Sequence, residues 1–366
     1  MTSRVLHIFG SMNRGGAEMR TVSLMPGMQQ QDVQFDYCVL SGEKGVLDEK
    51  IRLLGGEIYY CKLGPTFIFR FISLLLKRDF SAVHSHVAYV SGFILLLAKL
   101  CGIKGRIAHF RNTTAGNSSS FVRSSRDKFL KYLIEACATD ILAVCNAAML
   151  GFWGNDWEQE KRCKVIYNGF EVVDRQIEPK FWSDFIPTYL GQKIIVNVAR
   201  MDVQKNHIRQ CDIFNELHKC EPNTLMVFIG KENQQRKSQM LSKIAQYQLQ
   251  EKVFFLGLQT DVLRFLQHSD VMLFPSEWEG LPGVVLEAAS VGLPIVASDL
   301  PGVKEIADQL PFIKIVKLEE SNSDWAVNLR EVLMQGIDPN KMIDAFRQSE
   351  FLIESNVKQL HAIYSG

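Results

Sequence analysis

The sequence predicts an α/β protein made of two doubly wound parallel-sheet domains in series, on three observations. Short β-rich apolar runs alternate with amphipathic stretches of helical length, as in a parallel sheet covered on both faces. A polar, irregular stretch over 168–187 interrupts the alternation, which then restarts. The length of 366 residues suits two domains of ordinary size.

In the first half, strands are expected at 5–9, 35–40, 57–60, 82–84, 105–108, 141–144 and 164–166. Helical stretches lie between them at 17–25, 46–54, 67–77, 90–100 and 124–136. After the break, strands are expected at 193–198, 224–229, 253–256, 271–274, 294–297 and 313–316. Helices fit between these at 208–219, 239–247, 262–267, 283–290, 303–307 and 325–334. The last stretch, 341–364, reads as helix with no strand after it, so it must pack on an existing surface, the first domain being one option. The expected divisions are 1–186, 187–340 and a helical tail over 341–366.

Hydrophobic residues make up 47% and charged residues 22% of the chain, values that exclude a disordered or low-complexity scaffold. A net charge of +1 argues against a dedicated nucleic-acid binder. The total hides an asymmetry, because residues 1–186 carry 23 basic and 18 acidic side chains and the remainder 18 and 22. Within 62–131 there are 12 basic residues against only Asp79 and Asp127. The eight cysteines form no CxxC pair and mostly sit in apolar runs, which points to reduced core thiols and a reducing compartment. No apolar run has the length of a membrane span or a signal core.

In open parallel sheets, ligands bind beyond the carboxyl ends of the strands. The first such loop reads Gly10-Ser11-Met12-Asn13-Arg14-Gly15-Gly16-Ala17-Glu18. Gly15 and Gly16 would let a ligand approach the backbone, and the helix start offers unpaired N–H groups to an anion. An ordinary tight turn accounts equally for these residues. The spacing is neither GxGxxG nor a Walker loop, which counts against a nicotinamide dehydrogenase and a P-loop kinase. His84 and His86 end a strand and share one face, but no carboxylate or cysteine accompanies them at ligand spacing, so no metal is expected. His109 ends the next strand beside Arg111 and a polar loop, where a ligand contact competes with a hydrogen-bonded core role.

In the second half, Arg200 stands at a strand end and Lys205 just before a helix, a pairing of cations and helix N-terminus suited to a diphosphate. The segment Phe274 to Ser298 is the most informative. Glu279 lies in its loop, Gly280, Leu281 and Pro282 form a turn, and a helix starts at Gly283. Glu287 stands inside that otherwise apolar helix, where burial without a partner is costly and the paired hydroxyls of a ribose would satisfy it. Two glutamates flanking a helix start also leave glycoside hydrolysis open.

Taken together, Gly15-Gly16-Ala17-Glu18, His84-Ser85-His86, Val165 to Gly169, Arg200 through Lys205, and Glu279 with Glu287 give a resemblance to a known family. Over nearly its whole length the chain resembles the fourth family of retaining nucleotide-sugar glycosyltransferases, whose GT-B fold has two Rossmann-like domains facing an interdomain cleft. The resemblance implies that Arg200 and Lys205 bind the donor diphosphate and stabilise the leaving group. It implies that Glu287 holds the ribose, that Glu279 contacts the transferred sugar or its phosphate, and that Gly15 and Gly16 bring amides to the donor phosphate. Gly280, Leu281, Pro282 and Gly283 belong to the same donor site. His109 matches the cleft histidine that contacts the sugar donor and completes the expected catalytic set of His109, Arg200, Lys205 and Glu279. His84, His86 and Asn168 would support it. Retention would follow from front-face attack, with no metal or other cofactor. Tyr167, Phe170, Glu171, the turn at Lys231-Glu232-Asn233 and the Gly280-Leu281 pair depart from the commoner pattern.

The expected partners are a nucleoside-diphosphate sugar, UDP-hexose by default, and a saccharide or lipid-linked acceptor used in polysaccharide or glycolipid assembly. A GT-B epimerase and a catalytically silent nucleotide-sugar binder are the alternatives, and a silent binder would be expected to have lost Arg200, Lys205 or Glu279. The basic segment 62–131, which mixes in Phe67, Ile68, Phe69, Phe71 and Ile72, suggests contact with anionic lipid. The implied location is the cytoplasm, peripheral to the inner face of the membrane.

Overall fold

The computed structural model describes residues 2–13, 15–111, 121–173 and 177–366. Arg14 and the polar loop 112–120 lie outside the described residues, as does the side chain of Arg123. The chain forms two compact units, Met1–Gly169 with Ile353–Gly366, and Phe170–Leu352. The expected boundary near 186 thus falls earlier, because the irregular stretch folds onto the second unit. There Phe181 and Trp182 are buried, the Phe181 ring stacks on His268 at 4.0 Å, and Trp182 Nε1–H donates to the His268 carbonyl at 2.6 Å. At the other end, the expected single tail helix is two. Pro339–Gln348 buries Met342, Ile343 and Phe346 and belongs to the second unit, whereas Ile353–Ser365 belongs to the first.

In the first unit, β1 (Ser3–Phe9), β2 (Val33–Val39), β3 (Ile58–Tyr60), β4 (Ala82–Ser85), β5 (Gly105–Phe110), β6 (Asp140–Ala143) and β7 (Cys163–Val165) form one parallel sheet. Its order is β3-β2-β1-β4-β5-β6-β7. The direction of winding reverses between β1 and β4, which makes the loops after those strands the natural ligand position. Register places His7 opposite both Tyr37 and His84. Because side chains alternate at every residue, His7, His84, His86 and His109 fall on one face of the sheet. The helix Ile353–Ser365 is part of that unit's core, with Val357 and Leu360 packed among Val5, Phe35 and Ile107.

In the second unit, β8 (Lys193–Val198), β9 (Thr224–Ile229), β10 (Val253–Phe255), β11 (Val271–Phe274), β12 (Ile295–Ser298) and β13 (Ile313–Val316) form a parallel sheet of order β10-β9-β8-β11-β12-β13. The reversal lies between β8 and β11. The strands are apolar at nearly every position, as a sheet covered on both faces requires, and the helices His207–Cys220 and Asn322–Met334 contribute Phe214, Trp325 and Leu329 to its core. The loops after β8 and β11 therefore flank the second unit's own switch point.

Candidate active site

The predicted residues of the second unit converge on those two loops. A single helical turn over Val203–Lys205 follows β8 and ends in Asn206, whose left-handed backbone (φ 53°) opens the helix His207–Cys220. Asn206 Nδ2–H donates to the Pro275 carbonyl at 3.2 Å and Gln210 Nε2–H to the Lys205 carbonyl at 2.8 Å, so the lysine's backbone is pinned to the loop after β11. From there Lys205 Nζ donates to Glu279 Oε1 and lies 5.5 Å from the centre of the Phe274 ring. Both charges are mostly withdrawn from water, the side chains being 15% and 11% exposed. Removing either partner would leave a desolvated charge behind.

Arg200 contrasts with Lys205. Its side chain is 71% exposed and, among the described residues, its guanidinium pairs with Asp202 at 3.2 Å, a surface pair that holds it weakly. An exposed cation thus stands on the same loop as a buried, paired one. The turn Gly280, Leu281, Pro282 leads into the helix Gly283–Ser290, whose N-terminus has no side-chain cap and where Val285 N–H donates to the Pro282 carbonyl at 3.1 Å. Gly302 is essential to the shape of this turn, since a Cβ there would lie 1.8 Å from the Gly280 carbonyl oxygen. Glu287 is half-buried on that helix.

In the first unit the histidines are linked by hydrogen bonds. His84 Nε2 lies 3.0 Å from His109 Nδ1, and His7 Nδ1 lies 3.0 Å from His86 Nε2. Arg111 joins the cluster through Nε–H to His86 Nδ1 at 3.1 Å and through its two terminal nitrogens to Asn168 Oδ1 and Thr21 Oγ1. Asn168 therefore anchors Arg111. Burial holds all four imidazoles well below their ordinary pKa, and the Arg111 charge adds to the effect. Arg111 itself is pushed down to about 10 by burial. His109 is only 2% exposed, and its Nε2 has no hydrogen-bond partner among the described residues.

A nitrogen from each of His7, His84 and His86 lies within 4.8 Å of the others, near enough by distance for a metal ion. The proton positions oppose one. A guanidinium can only donate, so His86 Nδ1 accepts from Arg111, His86 Nε2 carries the proton, and His7 Nδ1 receives it. His86 Nε2 and His7 Nδ1 are thus spent on one another beside a fixed positive charge, and the His84 nitrogens on His109 and Tyr364.

Gly15 is the extended residue before the helix Gly16–Ser23, and Gly16 is exposed at its start. The Glu18 carboxylate folds back over Gly15, so that a Cβ on Gly15 would meet Glu18 Oε2 at 2.1 Å. Burial raises the Glu18 pKa against the pull of its own backbone N–H and of Arg111. The position expected to receive an anion already faces the chain's own carboxylate. Sequence reasoning missed His7 and the anchoring role of Arg111. The strand position of His7 was readable, but its place opposite His84 depends on strand order.

Two Rossmann-like parallel-sheet domains in one chain constitute the GT-B fold, and the structure superposes over its full length on HepE of Anabaena, crystallised with UDP. The TM-score is 0.80 at 16% identity, with 100% of each chain covered. The lipopolysaccharide glycosyltransferase WaaG aligns similarly, with a TM-score of 0.65 at 14% identity over 99% of this chain and 100% of WaaG. Residues 14–173 match the description Glycosyltransferase Family 4, and residues 180–349 match Glycosyl transferases group 1. The capsular polysaccharide biosynthesis glycosyltransferase CapH of Staphylococcus aureus is 31% identical over 99% of this chain and 98% of its own. A UDP-Gal:alpha-D-GlcNAc-diphosphoundecaprenol alpha-1,3-galactosyltransferase of Escherichia coli is 24% identical over 78% of this chain and 79% of its own. The chain belongs to the group 1 glycosyltransferases.

Proposed function

We propose that this glycosyltransferase is a retaining hexosyltransferase that moves a sugar from UDP-hexose to a hydroxyl of a saccharide or lipid-linked acceptor in polysaccharide assembly. The Lys205–Glu279 pair beside the uncapped helix Gly283–Ser290 is the observation that carries this reading. It gathers a buried cation, a carboxylate and a helix N-terminus without a side-chain cap at the carboxyl ends of β8 and β11, which suits a sugar diphosphate. Support for the donor comes from HepE, which binds UDP and UDP-glucose. Support for the acceptor comes from the E. coli relative, named for a diphosphoundecaprenol-linked substrate, and from CapH, named for capsular polysaccharide.

In this mechanism the acceptor oxygen attacks the anomeric carbon on the face that the diphosphate leaves. The carbon–oxygen bond to the phosphate breaks, and the hydroxyl proton passes to the departing phosphate oxygen. The exposed Arg200 swings onto the diphosphate, and Lys205 shares its charge between Glu279 and the leaving group. Glu287 takes the ribose, and His109 contacts the sugar. No protein nucleophile, metal or cofactor takes part.

Arg200→Ala and Lys205→Ala are each expected to lower kcat/KM by about 10²- to 10³-fold, the usual weight of one electrostatic contact to a developing anion. The assay pairs a panel of nucleoside-diphosphate sugars with lipid-linked acceptors and reads the anomeric configuration of the product by NMR. Undiminished turnover in both variants would remove the diphosphate role, and an inverted product would remove retention.

The chain is further proposed to work against an anionic membrane surface through the basic segment of its first unit. No helix among the described residues is long and apolar enough to cross a membrane, so such contact would be peripheral.

A further inference from the structure

Tyr364, near the end of the chain, is tied to the histidines, yet nothing in the proposed chemistry uses it. Its hydroxyl lies 2.6 Å from His84 Nδ1, and His84 Nε2 lies 3.0 Å from His109 Nδ1, so a phenol and two imidazoles form one hydrogen-bonded chain. The phenol ring is seated edge-on against Phe35, with centres 5.9 Å apart.

Such a chain has two settings. In the first, the phenol O–H donates to His84 Nδ1, His84 Nε2–H donates to His109 Nδ1, and the remaining proton of His109 sits on Nε2. In the second, every bond is reversed, so that His109 Nδ1–H donates to His84, His84 Nδ1–H donates to the phenol oxygen, and His109 Nε2 is bare. Among the described residues, the first setting leaves one group without a partner, the buried His109 Nε2–H. The second leaves two, the bare His109 Nε2 and the phenol O–H, which has no other partner among the described residues. An unmet buried polar group is costly, so the first setting, with one fewer, prevails. Because burial and Arg111 keep the imidazoles neutral, the setting changes only where the protons sit and leaves the charge alone.

We infer that Tyr364 is a positioning residue which, by donating to His84, selects the His109 tautomer that presents Nε2–H. His109 then meets the donated sugar as a neutral hydrogen-bond donor, a step that rests on the sugar contact assigned to His109 above. A deeply buried N–H left without a partner is what such a contact would complete.

The test uses the full-length chain labelled with ¹⁵N-histidine, with signals assigned through His84→Gln and His109→Gln. In the native protein, His84 and His109 are both expected to carry their proton on Nε2. In Tyr364→Phe, which keeps the ring and removes the donor, the His109 proton is expected to move to Nδ1 in a large share of molecules. At the same time kcat should fall about tenfold, the worth of one hydrogen bond, while the donor KM changes less than twofold. An unchanged ¹⁵N pattern in Tyr364→Phe overturns the inference, as does a native His109 protonated on Nδ1. A shifted pattern with undiminished kcat upholds the tautomer selection and removes the sugar contact of His109 instead.

Discussion

His7, His84, His86 and His109 are held well below the ordinary imidazole value of 6.5, and His207 is pushed down to about 4, in each case by burial first. These groups are neutral in the folded chain and free to take protons in the unfolded one. Below pH 6.5 the unfolded state therefore binds more protons, and stability falls as pH falls. Above 6.5 their contribution is complete. Each such histidine adds a slope of about 1.4 kcal/mol per pH unit below 6.5, down to its own folded value. Urea midpoints should thus be level from pH 8 to 7 and drop steeply from 6.5 to 5, a range in which ordinary carboxylates stay ionised. A flat profile between 7 and 5 would mean that the cluster is open to water. At this scale the sequence was legible where residues are near neighbours, as with His84 and His86 two positions apart. The same chain hid the pairing of His84 with Tyr364, which are 280 positions apart, because only the tail's route brings them together, whereas Lys205 and Glu279, 74 apart, were placed in one set by the family resemblance and not by their spacing.

The helix Phe67–Lys77 shows how one element can serve two surfaces. Phe67, Phe71 and Leu75, spaced four apart, are buried in the first unit, whereas Ile68, Phe69 and Leu76 are exposed, Phe69 by 77%. Lys62, Arg70, Lys77 and Arg78 surround this apolar stripe, and no acidic residue occurs from 58 to 78. Near an anionic surface each basic residue is worth about 1 kcal/mol, to which inserted apolar side chains would add. The protein is expected to float with vesicles containing phosphatidylglycerol and to lose most of that binding in Phe69→Ser and in Arg70→Ser. Equal recovery with neutral and acidic vesicles would reduce the stripe to a solvated helix face. Elements were otherwise the most readable level, and every expected strand is present within one or two residues at its ends. Expectation failed where the usual signs are missing. The helix Asn146–Trp153 is apolar nearly all round, so it has no periodic pattern, and its cap is the Cys145 sulfur accepting from Ala148 N–H at 3.3 Å in place of a hydroxyl or carboxylate.

The whole molecule turns on the route of its tail. The helix Ile353–Ser365 fits the first unit so closely that a Cβ on Gly27 would lie 2.8 Å from Val357 and one on Gly169 would lie 2.8 Å from Ile353. Asn356 Nδ2–H also donates to the Tyr167 carbonyl. Ending the chain at Leu352 would uncover Val357, Leu360 and their partners, at about 1.5 to 3 kcal/mol for each fully buried apolar side chain, in a domain whose total stability is only about 5 to 15 kcal/mol. The truncated chain should lose the cooperative unfolding transition of its first unit and keep that of Phe170–Leu352, as followed by calorimetry and limited proteolysis. Two transitions like those of the intact chain would show the tail to be dispensable. The route also bears on the order in which the protein is made. A ribosome delivers the first unit's strands before Phe170–Leu352 and its closing helix after it, whereas Phe170–Leu352 is one unbroken length that emerges complete in between. The usual vectorial order, in which the domain begun first is finished first, is reversed here. The unit whose strands come first must wait, with its histidine face uncovered, until Ile353–Ser365 has followed Phe170–Leu352 out of the exit tunnel.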